Sequence, residues 1–208
     1  MIDEFFPFGS KPYFVMLALL VFGRGMDVLS TWVATPHLVL EGNPIAKKLG
    51  WRWGLPVNAG FCLLLSFWPM SAIVISTTSI LVAARNFQLG WLMRSMGEDA
   101  YRDWHVQRLQ ETRITLFLLC LAGNTLLTGA VGAGLMLFSG NGLIPFSVGI
   151  GIIGYAAAVA FYTLLGVWKL RRASLRKQRL VERGLLIQPE PALRASLQSF
   201  SNIQPQGK

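Results

Sequence analysis

Charge is what this sequence has least of. Only 14% of its residues are Asp, Glu, Lys or Arg, against roughly 25% in a soluble domain, while hydrophobic residues reach 53%. That leaves too little charge to solvate a globule, which excludes an ordinary soluble enzyme or binding module. Strict apolar–polar alternation is also missing, so no membrane barrel is expected. Histidine and cysteine are sparse, at two each. Cys62 and Cys120 fall inside apolar blocks without C-x-x-C spacing, and read as buried free thiols. His37 and His105 are isolated. A disulfide scaffold, a zinc site and an H-E-x-x-H protease are therefore not expected. There is no G-x-S-x-G elbow and no Walker loop. The sequence implies no metal and no cofactor.

What is present is a set of long apolar blocks. A hydrocarbon core about 30 Å thick takes roughly 20 residues of helix to cross. Four blocks reach that length: Pro12 to Ala34, Leu55 to Ala84 with Pro69 expected to kink it, Ile114 to Phe138, and Leu143 to Trp168. The first is led by Asp3 and Glu4 rather than by bases, so it reads as a retained span and not a cleaved signal. Ser139-Gly140-Asn141-Gly142 is a tight turn that makes the last two blocks an antiparallel hairpin. The expected fold is an all-α integral membrane protein: a four-helix domain over 1–168, then a basic juxtamembrane segment and a disordered tail over 169–208. Pro189, Pro191 and the surrounding Ser and Gln carry no apolar periodicity.

The net charge of +9 gathers beside these blocks, which suits lipid contact rather than nucleic acid. Lys169, Arg171, Arg172, Arg176, Lys177 and Arg179 follow the fourth block and would touch anionic lipid. Arg85, Arg94, Arg102, Arg108 and Arg113 lie between the second and third. Four alternating crossings put these two basic regions on one side, the cytoplasm by the positive-inside rule. Both termini are then cytoplasmic, in a multi-pass inner-membrane protein whose first and last loops face outward. Trp51, Trp53 and Trp168 mark span ends. Glu98-Asp99 before Arg102 predicts a short helix between spans two and three, with Glu98 and Arg102 paired four apart.

The first span holds the strongest polar feature. Arg24 and Asp27 sit one helical turn apart at bilayer depth, and Ser30 and Thr31 extend the stripe. Such charges are rare without a partner or a purpose. Either they form a polar site facing the bundle interior, or they are an ion pair tying span one to its neighbours. In the next loop Asn43, Pro44, Lys47, Lys48 and Gly50 read as the cap, first turn, last turn and stop of a short helix. Glu41 alone is left over, either as a solvated acid or folded back toward Asp27.

Asp27, Ser30-Thr31 and Glu41-x-Asn43-Pro44 resemble the D-x-x-[S/T]-T … E-x-N-P pattern of small bacterial multi-pass membrane proteins assigned only to domains of unknown function. The match covers about residues 24–60. It implies that Asp27, Thr31, Glu41 and Asn43 act together, and implies no reaction or substrate.

Elsewhere, Asn124, Thr128 and Gly132 lie four apart, as do Thr125, Gly129 and Ala133, a spacing that suits close helix packing. Gly149-x-Gly151-x-x-Gly154 matches a dinucleotide fingerprint by letter, but it lies inside a span with no acid about 20 residues on, so packing explains it too. Three functions follow in order. The first is an accessory or interaction protein whose polar stripe serves assembly, with a homo-oligomer or other membrane proteins as partners. The second is a small oligomeric transporter or ion- or proton-coupled protein using Asp27 and Glu41. The third is an intramembrane enzyme.

Overall fold

The computed structural model describes residues 5–182. Among them the chain is all helix and turn: α1 (Lys11–Ala34), α2 (Pro44–Leu65), α3 (Pro69–Met96), α4 (Glu98–Glu111), α5 (Ile114–Leu137) and α6 (Leu143–Glu182). Four stretches are long and apolar enough to cross a membrane: Lys11–Ala34, Pro69–Met96, Ile114–Leu137 and Leu143–Lys169. Side chains such as Leu126, 71% exposed, and Leu137, 81% exposed, sit comfortably on a surface only where hydrocarbon replaces water.

The helix starts are encoded locally. Ser10 accepts the amide of Tyr13 at 3.3 Å, and Asn43 Oδ1 accepts that of Ile45 at 3.0 Å. In α1, α2 and α3 a proline occupies the first turn, where its missing N–H is not needed. As the order of cap, proline and glycine anticipated, α2 opens with a short piece, 44–49, that stops at Gly50. There φ is +60°, a conformation glycine adopts without strain. The helix resumes over 51–65.

The expected second span, 55–84, is corrected. It is not one helix kinked at Pro69 but parts of two helices, separated at residues 66–68, with Pro69 opening the second. The chain reverses at this break, and the reversal changes the topology. Leu20 of α1 packs with Ala72. A Cβ on Gly23 would meet Ser76 Cα at 3.1 Å, and one on Gly90 would meet Ala34 at 3.8 Å. Contacts ascend together along both helices, so α1 and α3 run parallel. Alongside α1, α2 runs back. Trp51 Nε1 donates to Pro36 O at 2.8 Å beyond the end of α1, while Tyr13 near its start donates to Leu63 O at 3.3 Å.

The facing positions explain why α1 and α3 fit so closely. On α3, Ala72, Ser76, Ser79, Ala83, Asn86 and Gly90 recur at alternate spacings of four and three. On α1, Leu20, Gly23, Asp27, Ser30 and Ala34 recur at three and four. That is a heptad-like seam lined mostly by small residues, which lets two backbones approach without a hydrophobic drive. Leu20, Cys62 and Ala72 form the apolar core, with Met16, Leu17, Leu65 and Ile75 against it.

After α3, Gly97 at φ +82° turns the chain into α4. The Ser139–Gly142 turn joins α5 to α6, and the two helices touch through glycine. A Cβ on Gly132 would lie 2.7 Å from Gly149 O, and one on Gly151 would lie 2.9 Å from Val74 O of α3. Thr78 also donates to Gly151 O at 3.0 Å, and Gly154 lies next along α6 beside Thr78. The fingerprint-like glycines are thus packing surfaces, and α6 runs parallel to α3.

With α1, α3 and α6 parallel, the start of α1 and the Gly166 end of α6 lie at opposite ends of the bundle. Residues up to Gly166 form one compact unit and those from Val167 a second. Within the second, Arg172 stacks over Trp168 at 5.2 Å. The side chains of Arg171, Arg176, Lys177 and Arg179, and the tail over 183–208, lie outside the described residues.

Candidate functional site

Arg24 stands in the middle of α1 and ties three helices together. Its Nη1 donates to Asp27 Oδ2 at 2.8 Å and to Ser79 Oγ of α3 at 3.2 Å. Its Nε donates to Asn58 Oδ1 of α2 at 2.9 Å, and Nη2 reaches the same oxygen. Asn58 is itself aimed by its amide nitrogen, which donates to Gly54 O at 2.8 Å. The Arg24 and Asp27 side chains keep 30% and 18% of their surface exposed, so the pair is covered but not sealed. Paired in this way, the guanidinium escapes the penalty of an isolated charge in low dielectric.

The polar line continues along the α1–α3 seam. Ser30 donates to Asp27 O at 2.9 Å, and Asn86 Nδ2 donates to Ser30 Oγ and Thr31 Oγ1, both at 3.3 Å. At the end of α1, Thr35 donates to Glu98 Oε2 at 2.7 Å. The same carboxylate accepts the amides of His37 at 2.9 Å and Val39 at 3.0 Å. Those amides flank Leu38, whose φ is +57°, a value uncommon outside glycine. Burial alone would raise the Glu98 pKa, but the Thr35 hydroxyl, the two amides and the nearby His37 outweigh it and hold the carboxyl below its usual value. The expected Glu98–Arg102 pair is replaced: Arg102 pairs with Asp99 and with Asp103, each at 3.3 Å.

This arrangement sorts the residues expected to act together. Arg24, Asp27, Ser30 and Thr31 do share one network. Glu41 lies close enough to Asp27 for the two carboxylate charges to interact, but its Oε1 accepts the amide of Asn43 at 2.7 Å. Asn43 uses its side-chain oxygen to cap α2. Asn58, Ser79, Asn86 and Glu98 complete the network. Of these, Asn58 reaches in from α2. The seam spacing of Ser79 and Asn86 is the signal that would have found the others on α3.

The packing set also divides. Gly132 is buried against α6, whereas Asn124 faces outward. Cys62 is buried as expected, but Cys120 is exposed. No family model, no curated protein and no solved structure matches this chain. The class that fold and site define is an all-helical, multi-pass membrane protein with a polar network between its first helices.

Proposed function

We propose that this is an inner-membrane accessory or interaction protein, and that the Arg24 network is an assembly device rather than a transport site. One observation carries the reading. Each nitrogen of the Arg24 guanidinium is directed at a group of the protein itself, on α1, α2 and α3. A guanidinium engaged on three helices fixes their register, as buried polar groups do in membrane bundles. It is poorly placed to exchange its partners for cargo. The resemblance to bacterial proteins with the D-x-x-[S/T]-T … E-x-N-P pattern fits this reading, because Asp27 and Ser30 are seam positions and Asn43-Pro44 opens the returning helix.

Charge distribution supports an orientation. Lys47, Lys48, Arg52, Arg85, Arg94, Arg102, Arg108 and Arg113 belong to the end where Thr35 meets Glu98, and the other end carries Lys11 alone. The positive-inside rule puts the basic end in the cytoplasm and the start of α1 outside. In this reading α2 is a fifth, short crossing of about 22 Å over its 51–65 portion. Its lipid-facing length is made up by the aromatic cluster of Phe5, Phe8, Tyr13, Phe67 and Trp68 at the outer end. Basic residues after Trp168 contact anionic lipid.

A second reading keeps Asp27 and Glu41 as an ion- or proton-handling pair, favoured by their mutual electrostatic reach. Asp27→Asn in proteoliposomes separates the two. The assembly reading expects lower folded yield and unchanged ion flux. A fully folded variant that has lost a flux seen in the parent chain sinks it.

A further inference from the structure

One face of α5 is left uncovered inside the chain, and it carries a polar group at mid-membrane. The α6-facing side holds Gly132, against Gly149 and Ile153, and Met136, against Gly149. Away from it, Cys120, Asn124, Leu127, Val131 and Phe138 are exposed, and a Cβ on Gly134 would meet nothing within 4 Å. The positions 120, 124, 127, 131, 134 and 138 repeat at alternate spacings of four and three, the heptad spacing of a helix that packs against another helix. Asn124 sits at the centre of this 24-residue helix. Among the described residues its amide makes no hydrogen bond, in the region where an unpaired polar group is least tolerated.

We propose that this face pairs with the same face of a second copy of the chain, α5 against α5, with Asn124 opposite Asn124. Three features select that occupant. A carboxamide holds both donors and an acceptor, so two of them related by a two-fold axis satisfy each other, whereas any other helix would have to supply a matched polar group at the same depth. Copies inserted in the same orientation bring identical helices together only in parallel, about an axis along the membrane normal, which gives an isologous contact. Asn124 and Val131 share one core position of the seam and Leu127 takes the other, and a single asparagine at a core position fixes register. Gly134 and Cys120 leave room for close approach. The pairing rests on the reading of the chain as a membrane-embedded interaction protein, and names its partner.

Cys120 lies one turn from Asn124 on the same seam, and Cys62 is buried, so the chain carries its own probe. The full chain, as wild type and as Cys62→Ala, is purified and reconstituted in phosphatidylethanolamine–phosphatidylglycerol vesicles. It is then oxidised with copper phenanthroline. A disulfide-linked dimer through Cys120 is expected, reduced at least fivefold by Asn124→Leu at equal protein-to-lipid ratio. A cysteine on the other exposed flank (Leu126→Cys with both native cysteines replaced) should not cross-link. The proposal is overturned if Cys120 stays monomeric in chain that is folded by size exclusion and fully membrane-inserted. Cross-linking that ignores Asn124→Leu, or that occurs only to a different protein in native membranes, also overturns it. Chain recovered without detergent in the aqueous fraction would instead defeat the membrane reading itself.

Discussion

Thr35 and Glu98 are 63 residues apart in sequence and joined by a 2.7 Å hydrogen bond. That bond closes the loop after α1 onto the start of α4 and fixes both at one end of the bundle. Because Glu98 also accepts the amides on either side of Leu38, it offsets the strain of that residue's left-handed backbone.

Glu98→Gln should therefore destabilise the detergent-solubilised protein by about 1 kcal/mol at pH 7, the difference between hydrogen bonds to a charged and to a neutral acceptor. The Glu98 pKa is lowered from 4.5 by folding. Its contribution is then complete above the unfolded value and disappears as pH falls through the folded one. The gap in thermal stability between parent and variant should be open at pH 7 and narrow as the pH falls below 4.5 and through the lowered folded value. Equal melting at pH 7 would dismiss the clamp.

Arg24→Gln should cost roughly 3 kcal/mol, because it leaves Asp27 partly buried without its cation. In the double variant with Asp27→Asn, the loss should fall short of the sum of the two single losses by at least about 1 kcal/mol, as expected of contacting residues. Additive losses in a denaturation cycle would mean the two side chains are energetically independent.

Gly23→Val and Gly132→Val should each destabilise by about 2 kcal/mol or more, since overpacking a close backbone contact forces the helices apart. Gly129→Val is the control. It lies on the same helix as Gly132, yet a Cβ there would meet nothing within 4 Å. Thermal unfolding that ranks all three alike would show that the close approaches are not real constraints.

Single cysteines placed in a chain without Cys62 and Cys120 test the topology. With an impermeant maleimide on intact cells, Asn141→Cys should react, and Lys47→Cys and Asp103→Cys should react only after permeabilisation. Labelling of Lys47→Cys and Asp103→Cys from opposite sides would contradict the Thr35–Glu98 contact, since it would separate the two segments that contact joins.

Hydropathy located α1, α5 and the membrane part of α6 closely, because the free energy of placing a stretch in lipid is a sum over its own residues. It failed at residues 55–84. Lys47, Lys48, Arg52 and Asn58 dilute α2, and a fused apolar block hid a chain reversal at Ser66–Trp68. The proline at 69 was visible, but whether proline kinks a helix or begins one depends on the residues before it turning back, which no local signal stated. Within the site, Arg24, Asp27 and Ser30 announced themselves as polar groups in an apolar run. Ser79 and Asn86 did not, since a serine or asparagine in a span is unremarkable until its seam partner is known.

The sequence by itself determined that this is a helical protein with long apolar stretches, where most helices begin, and which end of the chain carries the excess positive charge. These follow from side-chain solvation and from caps acting over a few residues. Only the tertiary structure decided that α1 and α3 run parallel with α2 returning alongside α1, that Arg24 joins three helices, and that Asn124 is turned outward. Those facts depend on which small residues meet across a seam, and such pairings join positions far apart in the chain that no local sum of hydropathy can connect.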